Sequence, residues 1–397
     1  MSCAFSAGNA SHPFGLDDST YNDYINATLV STGNNYRLKT VLEKIKKGDK
    51  VTIAALGGSV TEGAGPEKFT DGYAFQFFRA LKAAYAPGKG ENLVFDGAGL
   101  SGTPSQLGIV RYKQDVVDIL GGNPDILIIE FAVNDAGDDF SARGFEALVR
   151  DALSASPDTA VIALYSAATY GNTGAQKKPI ANHYQIPQVD ILPVVKKAIS
   201  SGKVKEKSYY TDNVHPTKDG HNFMSDSLMN LFAVVDKAAK DSPCAIPSES
   251  IKNPSFSGMK MITGDDENVK ISAGAFNKAD TATQTLKKTN KGNFPNNWYK
   301  AASSKGESFK MDINCKNLII TYKVQGSWLS EKFGTAEVYV DGKKVGSYDG
   351  GAANGWNNCE ARLIIDEKTA AKHSVEIKMA PGSESKGFTI VCMGYSM

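Results

Sequence analysis

From about residue 36 to 240, short apolar runs alternate with stretches of helical period. Residues 51–56 (VTIAAL) read as a buried strand. Residues 73–85, with Phe77, Phe78, Leu81 and Ala84 at helical spacing, read as a helix. A second strand is expected at 93–95 and a helix over 106–120, carrying Val110, Val116, Val117 and Leu120 on one side. Gly121-Gly122-Asn123-Pro124 stops that helix. The runs 125–131 (DILIIEF) and 160–165 (AVIALY) are further strands, flanking a helix at 143–154. Strands this apolar, joined by crossover helices, predict a parallel sheet covered on both faces.

Beyond Asp241 the texture changes. Ser242-Pro243 and Ile246-Pro247-Ser248-Glu249-Ser250 form a Pro/Ser-rich connection. It is followed by short runs of β character at 318–324, 336–340, 361–365, 374–379 and 388–393. Asp341-Gly342 between two of these segments is a hairpin signal. No long helical pattern appears there. The chain is therefore expected to hold an α/β domain over 1–245 and an antiparallel β-sandwich, or jelly roll, over 246–397.

A length of 397 residues agrees with two cores rather than one. The formal net charge is +1, with basic residues scattered, which argues against nucleic acid or a membrane surface as partner. No apolar run approaches the roughly 20 residues that span a bilayer. Residues 1–18 have neither a basic start nor an apolar core, so no secretory leader is expected. Five separated cysteines (Cys3, Cys244, Cys315, Cys359, Cys392) without a C-x-x-C pair read as free thiols of a reducing compartment. A cytoplasmic protein is expected on these grounds. A homo-oligomer is compatible with them, though no residue speaks to one.

Candidate chemistry sits where apolar runs end. Gly57-Gly58-Ser59 follows the first strand, and glycine lets the backbone bend sharply there to present a hydroxyl. Read alone, this is equally a Gly-rich turn with a capping serine. Asp212-Asn213-Val214-His215-Pro216 places a carboxylate three residues before an imidazole. Such an imidazole, held in one tautomer by the carboxylate, can take a serine proton near neutral pH. A surface turn is the plain alternative. Asn134 after DILIIEF and Gly102 after the second strand offer an amide and an unhindered N–H at the same sheet edge, as fixed donors to a developing alkoxide. Glu130 either hydrogen-bonds within this site or closes a strand, the latter being favoured. His183 is read as structural, in a strand-to-loop turn, and His12, His221 and His373 have no partner evident in the sequence. Trp298, Trp328 and Trp356 all lie in the C-terminal half among polar and glycine residues. They read either as sandwich core or as platforms for sugar rings.

In combination and in this order, the Ser59, Gly102, Asn134 and Asp212/His215 segments resemble the SGNH/GDSL hydrolase family over about residues 45–235. The family's G-D-S reads Gly57-Gly58-Ser59 here, and its G-x-N-D reads Ala132-Val133-Asn134-Asp135. The G-G-S-x-T-E-G form is similar to that of carbohydrate-active branches. The resemblance implies a flavodoxin-like three-layer α/β fold with a parallel sheet, and a catalytic triad of Ser59, Asp212 and His215. It further implies an oxyanion hole from Ser59, Gly102 and Asn134, and chemistry needing neither cofactor nor metal. The second domain looks like the carbohydrate-binding-module-like jelly rolls of acetylxylan and related esterases. The expected function is removal of acetyl groups from plant-derived oligosaccharides, xylo-oligosaccharides foremost and manno-oligosaccharides next, with Trp328 as a candidate substrate contact. A broad short-chain esterase or thioesterase, and a non-catalytic sugar-binding protein, are the alternatives.

Overall fold

The structure, a computed structural model, describes residues 12–253, 255–262, 266, 268–286, 291–292, 294–326, 328–329 and 331–397. It divides into two compact units. Residues 12–105 and 114–251 make the first, and 106–113 with 252–397 the second.

In the first unit, β1 (Leu29–Ser31), β2 (Val51–Gly57), β3 (Leu93–Gly99), β4 (Ile126–Glu130), β5 (Ala160–Tyr165) and β6 (Gln188–Asp190) form one sheet in the order β1-β6-β5-β4-β2-β3. The strands β2 to β6 are parallel, and β1 closes the edge antiparallel to β6. Every residue of β4 and β5 is buried, which requires cover on both faces of the sheet. The helices accordingly pack in two groups. Tyr36–Lys47, Tyr73–Tyr85 and Lys218–Lys237 contact one another, and Asp139–Ala155 contacts Gly174–His183. This is the flavodoxin-like order expected, with the sense of the winding reversing between β2 and β4. At that point the loops leaving the carboxyl ends diverge and open a crevice.

The helix Tyr73–Tyr85 forms with the expected bounds and turns Tyr73, Ala74, Phe77 and Leu81 into the core, while Phe78 stacks on Phe95. The helix Asp139–Ala155 starts earlier than its apolar period suggested, because Asp138 caps it by accepting from Ser141 N–H at 2.9 Å. The segment 105–120 is helical as expected, with a π-helical stretch at Lys113–Val117, and ends on Gly121 in left-handed backbone. Three-residue strands such as β1 and β6 are too short to show a period, and the sequence pattern did not reveal them.

The connection after the last helix stays with the first unit up to residue 251. Arg150 donates to the carbonyls of Pro247 (2.9 Å) and Ser248 (2.6 Å), and Ile251 N–H donates to Glu146 (2.6 Å). His183 ends the helix Gly174–His183 rather than a strand, and its Nε2 bonds the Glu249 carbonyl at 3.0 Å. The histidines without an evident partner also have one here: His12 pairs with Asp18 at 3.0 Å and His373 with Asp341 at 2.8 Å. Sequence separation hid the second of these.

The second unit is an all-antiparallel β domain. Its strands are β7 (Lys260–Met261), β8 (Val269–Ser272), β9 (Thr285–Leu286), β10 (Lys291–Gly292), β11 (Trp298–Lys300), β12 (Phe309–Val324), β13 (Thr335–Val340), β14 (Lys343–Asp349), β15 (Asn358–Met379) and β16 (Phe388–Ser396). Eight of them join in one sheet ordered β11-β16-β12-β15-β13-β14, with β7 on β16 and β8 on β12, and β9 pairs only with β10. The described strands thus link into one continuous main sheet along the long β12 and β15, whose pairing is offset near Cys315 and Leu318. Asp341-Gly342 makes the expected two-residue hairpin, with φ of 49° and 76°. Trp298 packs edge-on to Phe309 at the core, whereas Trp328 and Trp356 are 63% and 48% exposed. Cys315, Cys359 and Cys392 are buried and Cys244 half-buried, none of them in a disulfide among the described residues, and Cys3 lies outside those residues. Among the described residues no helix is long and apolar enough to cross a membrane.

Candidate active site

The site is assembled from the ends of parallel strands. β2 runs into Gly57-Gly58, and Ser59 opens a single helical turn, Ser59–Glu62, closed by Gly63. The turn is tight because Gly58 lacks a side chain: a β-carbon there would lie 2.0 Å from Asn134 Oδ1. Asn134 leaves the end of β4 in a turn whose N–H groups, from Asn134 and Asp135, both return to the Phe131 carbonyl at 3.0 Å. The Asn134 amide therefore packs directly on the residue before Ser59, with its Oδ1 buried and unpartnered. The loop after β3 reaches the same turn. Leu100 N–H donates to the Gly57 carbonyl at 3.0 Å, and Ser101 Oγ donates to the Glu62 carboxylate. Gly102 follows in left-handed backbone (φ 68°), exposed.

The Asp212–His215 turn arrives from the loop before the helix Lys218–Lys237. Asp212 Oδ1 accepts the N–H groups of Val214 and His215, each at 2.8 Å, which curls the segment into one turn. Asp212 Oδ2 accepts from His215 Nδ1 at 2.6 Å, and His215 Nε2 lies 2.9 Å from Ser59 Oγ. With Nδ1 donating to the carboxylate, Nε2 is the acceptor that faces the hydroxyl. Burial raises the Asp212 carboxyl, but hydrogen bonds from the His215 ring and from the His215 and Val214 N–H groups outweigh it and hold the carboxyl below its ordinary range. The loop 166–173 is tied to this turn, since Thr169 N–H and Oγ1 bond the Asn213 carbonyl at 2.9 and 3.1 Å. An oxygen, an imidazole and a carboxylate in this chain can move a proton off the serine as it attacks an acyl carbon.

Several residues around the site carried no local signal. Glu130, the last residue of β4, is fully buried, and its oxygens accept from Thr61 Oγ1 (3.0 Å) and Ser166 Oγ (2.5 Å). Thr61 Oγ1 also meets the Tyr73 hydroxyl at 2.9 Å. Burial pushes the Glu130 carboxyl up to about 7, against the pull of these hydroxyls. Asp135 accepts from Ser105 and pairs with Lys177 at 2.7 Å, both charges buried. His221 is buried; it accepts from Tyr73 N–H and bonds the Ala64 carbonyl, each at 3.0 Å, and burial lowers it to about 4. Tyr170 is 68% exposed, with its hydroxyl donating to the Val133 carbonyl at 3.2 Å. Partial burial raises that hydroxyl's pKa, and the charges of Asp212 and Glu130 add to it. Each of these contacts joins segments remote in sequence. Glu130 drew notice through its closeness to Asn134, with the strand-closing role favoured, and it does both, ending β4 and hydrogen-bonding to Thr61 beside Ser59.

Residues 55–223 match the GDSL-like Lipase/Acylhydrolase family, a span that includes Ser59, Gly102, Asn134, Asp212 and His215. No curated protein matches the chain. Among solved structures, a two-domain esterase (CEX) active on acetylated mannans is similar at 25% identity, covering 94% of this chain and 98% of its own with a TM-score of 0.81. The same type of esterase co-crystallized with mannopentaose gives 24% identity, 94% and 97% coverage, and a TM-score of 0.80. A catalytic mutant of Axe2, an acetylxylan esterase from Geobacillus stearothermophilus, is 16% identical over 47% of this chain and 96% of its own, with a TM-score of 0.39. Taken with the strand order and the residues gathered at the carboxyl edge of its sheet, the family match and the likeness to the two-domain esterase at 25% identity identify a GDSL/SGNH lipase–acylhydrolase domain over residues 55–223, joined to an antiparallel β domain, and the protein as a carboxylic-ester hydrolase.

Proposed function

We propose that the protein is a carbohydrate O-acetyl esterase that deacetylates oligosaccharides derived from plant polysaccharides. The observation that carries this is the Ser59–His215–Asp212 chain, with links of 2.9 and 2.6 Å, at the sheet's switch point. Ser59 Oγ attacks the acetyl carbonyl carbon as its proton passes to His215 Nε2, while Asp212 holds the Nδ1–H. The carbonyl oxygen takes the negative charge and is received by the N–H groups of Ser59 and Gly102 and the amide of Asn134. Collapse breaks the bond to the sugar oxygen, which leaves with the proton from His215. A water then gives its proton to the same imidazole and attacks the acyl carbon. Acetate departs and Ser59 Oγ recovers the proton.

The sequence alone favoured acetylated xylo-oligosaccharides. The likeness to an esterase active on acetylated mannans, which extends over both domains at 25% identity, moves the preference to manno-oligosaccharides. Tyr170, an exposed ring tethered beside the Asn134 turn, supports a sugar-ring contact at the rim. Trp328, exposed in the second unit, is a further candidate substrate contact. The decisive assay is acetate release from acetylated mannan, acetylated xylan and an aryl acetate, by the wild type and by Ser59→Ala. The expected result is release from acetylated mannan above xylan, and loss of all three activities in the variant. Cleavage of octanoyl esters as fast as acetyl esters would favour a broad esterase. Sugar binding without acetate release from any glycan would favour a binding protein.

A further inference from the structure

Glu130 takes no part in the steps above, yet it is the fully buried carboxyl on which the site's loops meet. Its Oε2 accepts from Thr61, two residues beyond Ser59, and its Oε1 from Ser166 at the end of β5. The Ala132 N–H, at the start of the Asn134 turn, lies near enough to pull the carboxyl's pKa down, and the Glu130 carbonyl accepts Gly58 N–H at 3.3 Å. No cation pairs with it among the described residues, and Lys177 is paired with Asp135. The groups that face it are Asp135 from the Asn134 turn, Tyr73 from the helix behind Thr61, Tyr170 from the 166–173 loop, and Tyr209. All three tyrosines are raised by burial first, with the Glu130 charge adding to it. Two hydroxyls thus converge on a carboxyl that pairs with no cation among the described residues. As a carboxylate it accepts from both, whereas an added proton obliges one hydroxyl to turn round and accept, which removes the charge that strengthens the pair of bonds.

We infer that Glu130 is a positioning residue for acyl transfer: as a carboxylate it clamps the turn bearing Ser59 to the turn bearing Asn134. The inference rests on the proposed roles of those two residues. Protonation of Glu130 reverses one of these bonds and removes the charge that strengthens both, which lets the two turns drift relative to each other and misplaces the oxyanion donors about the attacking oxygen. Because Glu130 does not touch substrate, the loss falls on kcat rather than KM.

The test is Glu130→Gln, which keeps size and shape but carries no charge, assayed on an aryl acetate across pH. Expected are a fall in kcat of about tenfold with KM within about twofold, and an acid limb of kcat/KM that changes from two protons to one. An unchanged kcat, or an acid limb with the wild-type slope, overturns the inference. Thr61→Val and Thr61→Ser test the clamp without altering the carboxyl. The valine variant should lose about tenfold in kcat while the serine variant stays within about twofold, and equal activity of the two also overturns it. Full activity of Ser59→Ala would instead remove the role of Ser59 itself, a result separate from any of these.

Discussion

Glu130→Gln should stabilise the first unit increasingly as pH rises. The wild-type carboxyl is lifted from 4.5 to about 7, burial outweighing its hydrogen bonds from Ser166 and Thr61. In the unfolded chain it ionises near the ordinary glutamate value. Between those two points the folded protein keeps a proton that the unfolded chain has released, so stability falls as pH rises through this window and levels off above it. At roughly 1.4 kcal/mol per pH unit, the window removes about 3 kcal/mol. Glutamine has no proton to lose. The unfolding free energy of the variant minus that of the wild type should therefore grow by about 3 kcal/mol between pH 4 and pH 8, whatever fixed offset the amide introduces. Urea unfolding followed by far-UV circular dichroism reports the first unit, which holds nearly all the helices. All three tryptophans belong to the second unit, so their fluorescence follows that unit separately. A difference that stays flat across this pH range would refute the reasoning, because Glu130 would then ionise alike in both states. A gain in stability beside a loss in kcat would mark the carboxylate as a cost of function.

Asp212→Asn should lower kcat about 10³-fold with little change in KM, at the modest end for such a group because the Asp212 side chain is 54% exposed and partly screened; a loss under about tenfold would deny it a role in orienting His215. Lys177→Met should cost about 3–5 kcal/mol in urea unfolding, since it strands the buried Asp135 carboxylate, and adding Asp135→Asn should restore part of that. A single variant within about 1 kcal/mol of wild type would show that the ion pair is dispensable. Tyr170→Ala should reduce kcat/KM on acetylated manno-oligosaccharides about tenfold and leave an aryl acetate within about twofold, and equal losses on both would assign the ring a structural role only.

Much of the fold was legible because local patterns and tertiary environment agree. The apolar run after Lys50 is a strand buried on both faces, and the 73–85 period is a helix with one face in the core. Asp341-Gly342 turns where its left-handed backbone preference says it should. Start signals were weaker guides, as with Asp138, whose cap lengthens a helix beyond its apolar pattern. The tryptophans were ambiguous because a ring between polar residues can face either way. Trp298 packs on the core, while Trp328 and Trp356 do not.

By itself the sequence determined which reacting groups exist, their order, and that each lies where an apolar run ends or a loop begins, since strand and turn preferences act over a few residues. It also determined the Asp212–His215 pairing, because one turn closes it. Only the tertiary structure decided that His215 meets Ser59, and that Gly58 is bare where Asn134 packs. The same holds for the buried carboxyls Glu130 and Asp135, which find Thr61, Ser166 and Lys177 across the sheet. The reason is physical. The burial that shifts a side chain and the partners that satisfy it come from segments far apart in the chain, 156 residues for Ser59 with His215 and 157 for Ala64 with His221. No local pattern encodes that meeting, which only the winding of the strands brings about.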